Sequence, residues 1–297
     1  MLTFKNGKFA TTYPVLAKVF TVTKNEYDLI EDFINYYGKI FGYENVVIID
    51  NGSDNPTVLG VYERYLPKGI TIRYTTGYDG NKQAEHFTNV MREYKNTAEF
   101  LIGLDTDCFF GVHGSSNPDT IRSYLHNLPK NKDIFFMQKF YMSVVDVNSP
   151  NYLDHKLIRP TDCTTFDVRD NYCGTSNPHV FFRSANFVST ENGNHNGATT
   201  TQSSHFCEDV FYVHYHDTGR GRLAERCRSI MIGYGYIREG MTHDEELVQM
   251  RNLWSGAGIH RQRQYIHYLE NPEEFMEEPP IPSNVVEFSG VKSLLLQ

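Results

Sequence analysis

Several common devices are missing from this chain, and each absence narrows its function. The five cysteines, Cys108, Cys163, Cys173, Cys207 and Cys227, are odd in number, widely spaced and free of any C-x-x-C pair. That usage supports neither a disulfide framework nor a zinc knuckle, and it fits a reducing compartment. No apolar run approaches the roughly 20 residues that span a bilayer. The stretch from Met1 to Lys8 lacks the apolar core of a secretory signal, so an intact N-terminus would place the protein in the cytoplasm with no integral membrane segment. Positive charge is not in excess either. The formal net charge of -8 argues against a surface that holds nucleic acid or anionic lipid mainly by charge. The sequence contains no G-x-x-x-x-G-K-[ST], no G-x-G-x-x-G and no H-E-x-x-H, which leaves phosphate-loop, dinucleotide and zinc-protease readings without their signatures.

Apolar material, by contrast, is ample. With 297 residues, 40% of them hydrophobic, the chain can bury a substantial core. Tyr and Phe number 20 each, and their rings suit both core packing and stacking on bases or sugar faces. Leu16 to Val22 reads as a buried strand that breaks at Thr23-Lys24-Asn25-Glu26. From Tyr27 to Phe41 the period becomes helical, through Leu29, Ile30, Phe33, Ile34, Tyr37 and Phe41, and Gly42 supplies a stop. Val46 to Asp50 is the next strand, followed by the turn cluster Asn51-Gly52-Ser53-Asp54.

The alternation continues with strands at Ile70–Tyr74, Phe100–Leu104 and Ile134–Phe140 and helices at Gln83–Tyr94 and Asp119–Leu128. The pattern predicts an α/β fold with a mainly parallel sheet covered by helices, where ligands bind beyond the carboxyl ends of the strands. Between Tyr141 and Asn177 the rhythm gives way to a polar stretch with the length of a binding loop or lid. Strands resume at His179–Phe182 and Val210–His216. Helices follow near Arg222–Ile232, Asp244–Trp254 and Arg261–Leu269, with an acidic, proline-bearing tail. This divides the chain into a catalytic domain, 1–230, and a C-terminal helical extension and tail, 231–297, packed on the same domain.

The strongest chemical signal is Phe100-Leu101-Ile102-Gly103-Leu104-Asp105-Thr106-Asp107, an apolar strand that delivers two carboxylates where a sheet opens to solvent. Hard oxygen ligands there suit Mg²⁺ or Mn²⁺ bridging a diphosphate, and an acidic turn capping a strand is the plain alternative. Asp50 and Glu26 stand at two further strand ends, placed to accept hydrogen bonds from a base or ribose. Lys82 opens the helix after the third strand, where its ammonium and the helix N-terminus both favour a phosphate. His195 lies in a glycine-flanked turn. His214 and His216 share one face of a strand, so either region supplies an imidazole to a carboxylate site. Asp209, in Glu208-Asp209, is a candidate general base for an acceptor hydroxyl.

Taken in order, these pieces resemble a nucleotide-sugar glycosyltransferase of the GT-A fold, nearest to the family 2-like and family 92-like group. The resemblance runs from about Lys18 to Arg228. Its carriers are Thr21-Val22-Thr23-Lys24-Asn25-Glu26, Val47-Ile48-Ile49-Asp50-Asn51-Gly52-Ser53, Leu104-Asp105-Thr106-Asp107, Lys156-Leu157-Ile158-Arg159-Pro160, Gly193-Asn194-His195 and His214-Tyr215. It implies that Thr23, Glu26 and Asp50 hold the nucleotide. It also implies that Asp105 and Asp107 form the D-x-D site, with Asp107 the more direct metal ligand, and that the late histidine is His195 or His214. The family 92-like pattern commonly continues the D-x-D into Glu and Phe, whereas Cys108 and Phe109 follow here.

The implied reaction moves a hexosyl or pentosyl group from a nucleotide-diphosphate sugar to a hydroxyl of a glycan or other acceptor. A metal neutralises the leaving diphosphate as the sugar carbon passes through an oxocarbenium-like state. Two other readings share the core. One is a nucleotidyltransferase of sugar metabolism, whose glycine-rich opening signature is missing from Met1 to Val22. The other is a noncatalytic sugar-binding protein that retains the fold.

Overall fold

The computed structural model describes residues 3–5, 8–10, 15–75, 82–144, 151–159, 178–215, 218–253, 259–277, 285–286 and 290–295. Strands β1 (Thr3–Lys5) and β2 (Lys8–Ala10) form a small antiparallel hairpin of their own. Among the described residues the main sheet has ten strands. It begins with β3 (Val15–Thr23), whose successive side chains face opposite sides: Ala17 and Val19 enter one core and Phe20 the other.

Helix α1 (Ile30–Phe41) presents Ile30, Phe33, Ile34 and Tyr37 as a buried stripe and ends at Gly42, whose φ of 93° favours glycine. Strand β4 (Val46–Asp50) is buried throughout. A helix not anticipated from the periodicity follows, α2 (Pro56–Tyr65). Asn55 caps it by accepting from the Thr57 N–H at 2.9 Å, and Pro56 occupies its first turn. Then come β5 (Thr71–Tyr74), α3 (Gln83–Glu93) and β6 (Ala98–Gly103).

These strands pair in the order β5, β4, β3, β6, all parallel. Helices cover both faces. Val46, Ile48, Phe100 and Ile102 pack with Phe33, Tyr37, Val58 and Val61, whereas Val47, Ile49 and Leu101 pack with Phe87 and Met91 of α3. The expected parallel α/β half is therefore present, and all four strands point their carboxyl ends the same way.

The sheet then changes character. The remaining elements of this part are β7 (Cys108–Val112), α4 (Pro118–His126), β8 (Ile134–Val144), β9 (Lys156–Ile158), β10 (Val180–Arg183), β11 (Phe187–Thr190), β12 (Gly197–Thr199) and β13 (Ser204–His214). Strand β10 lies between β6 and β8, antiparallel to both. Strand β13 runs parallel to β8 and antiparallel to β7, so it carries the chain back toward the acidic turn. It starts at Ser204, six residues before the expected Val210, because pairing of Ser204 to Cys207 along β8 overrides the polarity of that stretch. Strands β11 and β12 form a separate hairpin. Within the predicted lid, residues 145–150 and 160–177 lie outside the described residues, as does His216.

Helices α5 (Arg220–Gly233), α6 (His243–Arg251), α7 (Ile259–Glu270) and α8 (Pro272–Met276) build a core of their own from Leu223, Cys227, Met231, Met250, Tyr265 and Phe275. The chain then returns to the main sheet. Strand β14 (Val285–Val286) pairs with β9, and α9 (Gly290–Leu295) sinks Val291 and Leu294 into the main core. Among the described residues no helix is long and apolar enough to cross a membrane.

Candidate functional site

The acidic turn is fixed from three sides before any ligand is considered. Past the end of β6, the Leu104 N–H donates to the Phe20 carbonyl at 2.9 Å, which prolongs the sheet by one residue. The Cys108 N–H then closes on the Asp105 carbonyl at 3.0 Å to form the turn. Between the two aspartates, the buried Thr106 hydroxyl pairs with the Thr21 hydroxyl of β3 at 3.0 Å. Finally, the register that sets His214 opposite Cys108 lets the Tyr215 N–H donate to the Asp107 carbonyl at 2.9 Å.

Asp105, Asp107, Cys108 and His214 gather there, with potential ligand atoms all within 4.8 Å of one another. Asp107 is 9% exposed, and its Oδ1 lies 2.7 Å from His214 Nε2 while its Oδ2 lies 3.7 Å from Arg226 Nη1 of α5. Burial pushes the Asp107 carboxyl up, but His214, Arg226 and Arg261 outweigh it and hold it at about 2. The same burial, with the Asp107 charge beside it, pushes Asp105 up to about 6. Two carboxylates that repel one another where water is largely excluded form an arrangement a divalent cation relieves.

The donor chemistry narrows the choice of ion. Burial and the two aspartates raise the Cys108 thiol well above its ordinary range, and its Sγ lies 3.5 Å from His179 Nε2. Two carboxylates and one imidazole, with the Cys108 sulfur beside them, form the potential ligand set. Mn²⁺ accepts imidazole beside carboxylate, whereas Mg²⁺ favours oxygen alone. These residues therefore fit the implied cation, Mn²⁺ better than Mg²⁺.

Side chains that the sequence did not single out complete the surroundings. Gln83, the first residue of α3, donates from Nε2 to Asp105 Oδ1 at 3.0 Å and accepts from the Gly193 N–H at 2.9 Å. It thereby ties the Asp105 carboxylate to the loop of residues 191–195. That loop comes close because Gly103 has no side chain: a Cβ there would lie 2.9 Å from Asn194 Oδ1. His179 is buried at 1% exposure, with its ring 5.0 Å from that of His195 and 6.1 Å from that of His214. Burial lowers the His179 imidazole well below its ordinary range, with the neighbouring histidines adding to the effect. Its ring packs against both of the other imidazoles.

Of the residues expected at the site, the structure brings together Asp105, Asp107 and His214. His195 lies outside that group, with its ring 5.0 Å from that of His179 and the His214 charge acting on it. Glu26 reaches it indirectly, since its Oε2 pairs with Arg226 at 2.7 Å and with Arg222 at 3.6 Å. Thr23 and Asp50 are cross-strand partners on β3 and β4. Asp50 is fully buried and accepts from the Ser53 N–H at 2.7 Å and the Tyr62 hydroxyl at 2.6 Å, one bond on each oxygen. The Thr23 hydroxyl is buried with no hydrogen-bond partner among the described residues. Lys82 is exposed at the cap of α3.

Asp209 stands apart. It lies five residues before His214 on β13, about 17 Å along the strand, and its half-exposed carboxylate faces His113 Nδ1 at 3.4 Å. The geometry does not bring it to the acidic turn.

No family model matches the chain, and no curated protein matches it. Solved structures do. Residues 1–349 of TarS from S. aureus align at 13% identity over 85% of this chain and 72% of that chain, with a TM-score of 0.40. Glucosyl-3-phosphoglycerate synthase from Mycobacterium tuberculosis, in complex with Mg²⁺ and uridine diphosphate, aligns at 13% identity over 43% of this chain and 44% of that chain, TM-score 0.28. A putative glucose-1-phosphate thymidylyltransferase from Bacillus anthracis aligns at 10% identity over 70% and 74%, TM-score 0.31. At such distances no residue role transfers from one chain to another.

Proposed function

We propose that the chain is a Mn²⁺-dependent glycosyltransferase that moves a sugar from a nucleotide-diphosphate sugar to a hydroxyl of a glycan or other acceptor. The observation that carries this reading is the junction of Asp105, Asp107 and His214 beyond the carboxyl ends of β6 and β13, at the mouth of a parallel α/β half-sheet. When bound, the cation supplies positive charge to a diphosphate leaving group.

The chain's own residues do the rest. Asp107 and His214 provide the ligand atoms that the β7 and β13 register fixes in advance. Gln83 aims Asp105 and holds the 191–195 loop against it. Thr23, whose buried hydroxyl has no partner among the described residues, offers a hydrogen bond to a nucleotide lying over the ends of β3 and β4. Preorganised groups of this kind favour the charge that develops as the glycosidic bond breaks.

The test is calorimetric titration of Mn²⁺ with UDP, GDP, ADP and CDP in parallel. Wild-type protein is expected to bind one of the diphosphates with Mn²⁺. Asp107→Ala and His214→Ala should lose at least about tenfold in Mn²⁺ affinity, while His195→Ala retains it. If no diphosphate binds, or if Asp107→Ala binds as wild type does, the transferase reading fails.

A further inference from the structure

Asp209, expected as a base and placed away from the acidic turn, stands beside a different cavity. At the far end of β7 from Cys108, about 17 Å along the strand, a pocket of about 500 Å³ is lined by His113, Asp119, Thr120, Ser123, Tyr124 and Asn127. Thr120, Ser123, Tyr124 and Asn127 recur at helical spacing, so α4 and its C-terminal cap turn all four to one side.

His113 reaches the pocket from a two-residue turn. The Val112 and Ser115 N–H groups each donate to the other's carbonyl at 2.9 Å, and His113 and Gly114 between them take φ of 54° and 71°. Such a turn requires positive φ at both positions, which Asn, Asp and Gly supply most readily. A histidine in the first position adopts it at a steric cost, and residues held at such a cost gather where a protein binds or reacts. Asp209 fixes this one: the His113 N–H donates to its carbonyl at 2.9 Å, and His113 Nδ1 lies 3.4 Å from its carboxylate. Tyr124 is fixed as well. Its hydroxyl is hydrogen-bonded to the buried Cys207 of β13, and its ring meets that of His113 edge to face with centroids 5.5 Å apart.

We propose that this pocket binds a neutral saccharide, with a sugar ring laid against Tyr124 and its hydroxyls hydrogen-bonded to His113, Ser123 and Asn127. The lining selects that class. Hydroxyls, an amide, an imidazole and a carboxylate set donors and acceptors side by side around one aromatic ring. A sugar matches them, since each of its hydroxyls both donates and accepts while the C–H face of its ring is apolar. A phosphate or other anion finds no Lys or Arg lining the pocket among the described residues, and it meets the carboxylates of Asp119 in the lining and Asp209 beside His113. Arg122, on the same helix, is engaged by the Ile40 carbonyl and by Asp119. A wholly apolar ligand would strip water from the polar side chains without replacing its hydrogen bonds. The acidic turn takes no part, so the saccharide is held here whether or not the transferase reading stands. In a transferase, such a site gives a glycan a second hold on the protein and raises its effective concentration there.

The experiment is saturation-transfer NMR on the full chain with maltotetraose, cellotetraose and chitotetraose, and with tetragalacturonate as an acidic counterpart. Wild-type protein should bind at least one of the neutral sugars and bind tetragalacturonate more weakly. His113→Asn keeps a residue suited to the turn but removes the imidazole, and it should weaken binding about fivefold. Ser123→Arg, at an exposed position of α4, fills the pocket and should abolish binding with a melting curve like that of wild type. Asp107→Ala should bind the sugar as wild type does. Four outcomes overturn the proposal: no neutral sugar binds, binding is undiminished in His113→Asn and Ser123→Arg, the acidic sugar is preferred, or Asp107→Ala abolishes binding and so places the sugar at the acidic turn. Failure of Mn²⁺ and the nucleoside diphosphates to bind leaves this site standing and overturns the transferase reading alone.

Discussion

Gln83 shows how much of the site depends on a residue that carries no charge. Its amide spans Asp105 and the Gly193 N–H, so one side chain sets both a ligand's direction and a loop's position. Outer groups of this kind commonly contribute 10- to 100-fold to metal affinity. Gln83→Ala is expected to weaken Mn²⁺ binding by about tenfold, measured by calorimetry, while Gln83→Glu restores part of the loop contact but repels Asp105. The two aspartates were legible in the sequence because an apolar strand ran into them. Gln83 was not, because a polar residue opening a helix has no distinctive pattern. His179 was hidden for a related reason: at the edge of β10 it reads as the first residue of a strand, and only the fold reveals it packed against two other imidazoles.

The elements most readable in sequence were those whose burial pattern matches their period. Val46–Asp50 was located to the residue, and α1 to within three residues at its start. There the positive φ of Asn25 (55°) and a turn through residues 27–29 delay the helix. Strand β7 has no signature in the sequence because it follows β6 without an intervening helix, and a strand in that place breaks the alternation that marks the others. Helix α5 was found, but not its attachment, since an ion pair between Glu26 and Arg226 spans 200 positions.

That attachment has a pH signature. Asp28, beside Glu26, accepts from Arg222 at 3.1 Å and from the Thr218 hydroxyl. Burial alone would raise its carboxyl, but the Arg222 hydrogen bond, the Arg226 charge and Thr218 together hold it below its ordinary value. A carboxylate with a depressed folded pKa stabilises the protein above its unfolded pKa and loses that contribution as pH falls through the folded value. Wild-type protein should therefore exceed Asp28→Asn in urea midpoint at pH 7, and the gap should close below about pH 4. A gap that persists unchanged at pH 2.5 would show that Asp28 does not anchor α5 as a carboxylate.

At the scale of the whole molecule, the alternation of strands and helices predicted the parallel half of the sheet and said little about the rest. Reversal at β10, the return of β13 and the docking of the C-terminal segment all depend on contacts between distant residues. Polar and short segments such as residues 204–207 and 285–286 take their form from the strands they meet. The docking is tight: Val291 is 0% and Leu294 is 5% exposed, and Lys39 Nζ donates to the Leu294 carbonyl at 2.9 Å. Leu294→Ala removes a buried side chain from the main core and should cost about 2–4 kcal/mol in thermal or urea unfolding. A loss well under 1 kcal/mol would mean that α9 rests on the core without belonging to it.

The place of α9 also bears on how the chain folds as it is made. Its buried residues contact a helix synthesised some 255 positions earlier, and contacts of such long sequence separation form late and slowly. During synthesis the parallel half-sheet can assemble early, yet one patch of its core stays open until residues 290–295 have left the ribosome. A nascent chain arrested before that point would expose the surface that Val291 and Leu294 later cover, and it is at this stage that a chaperone would be expected to bind.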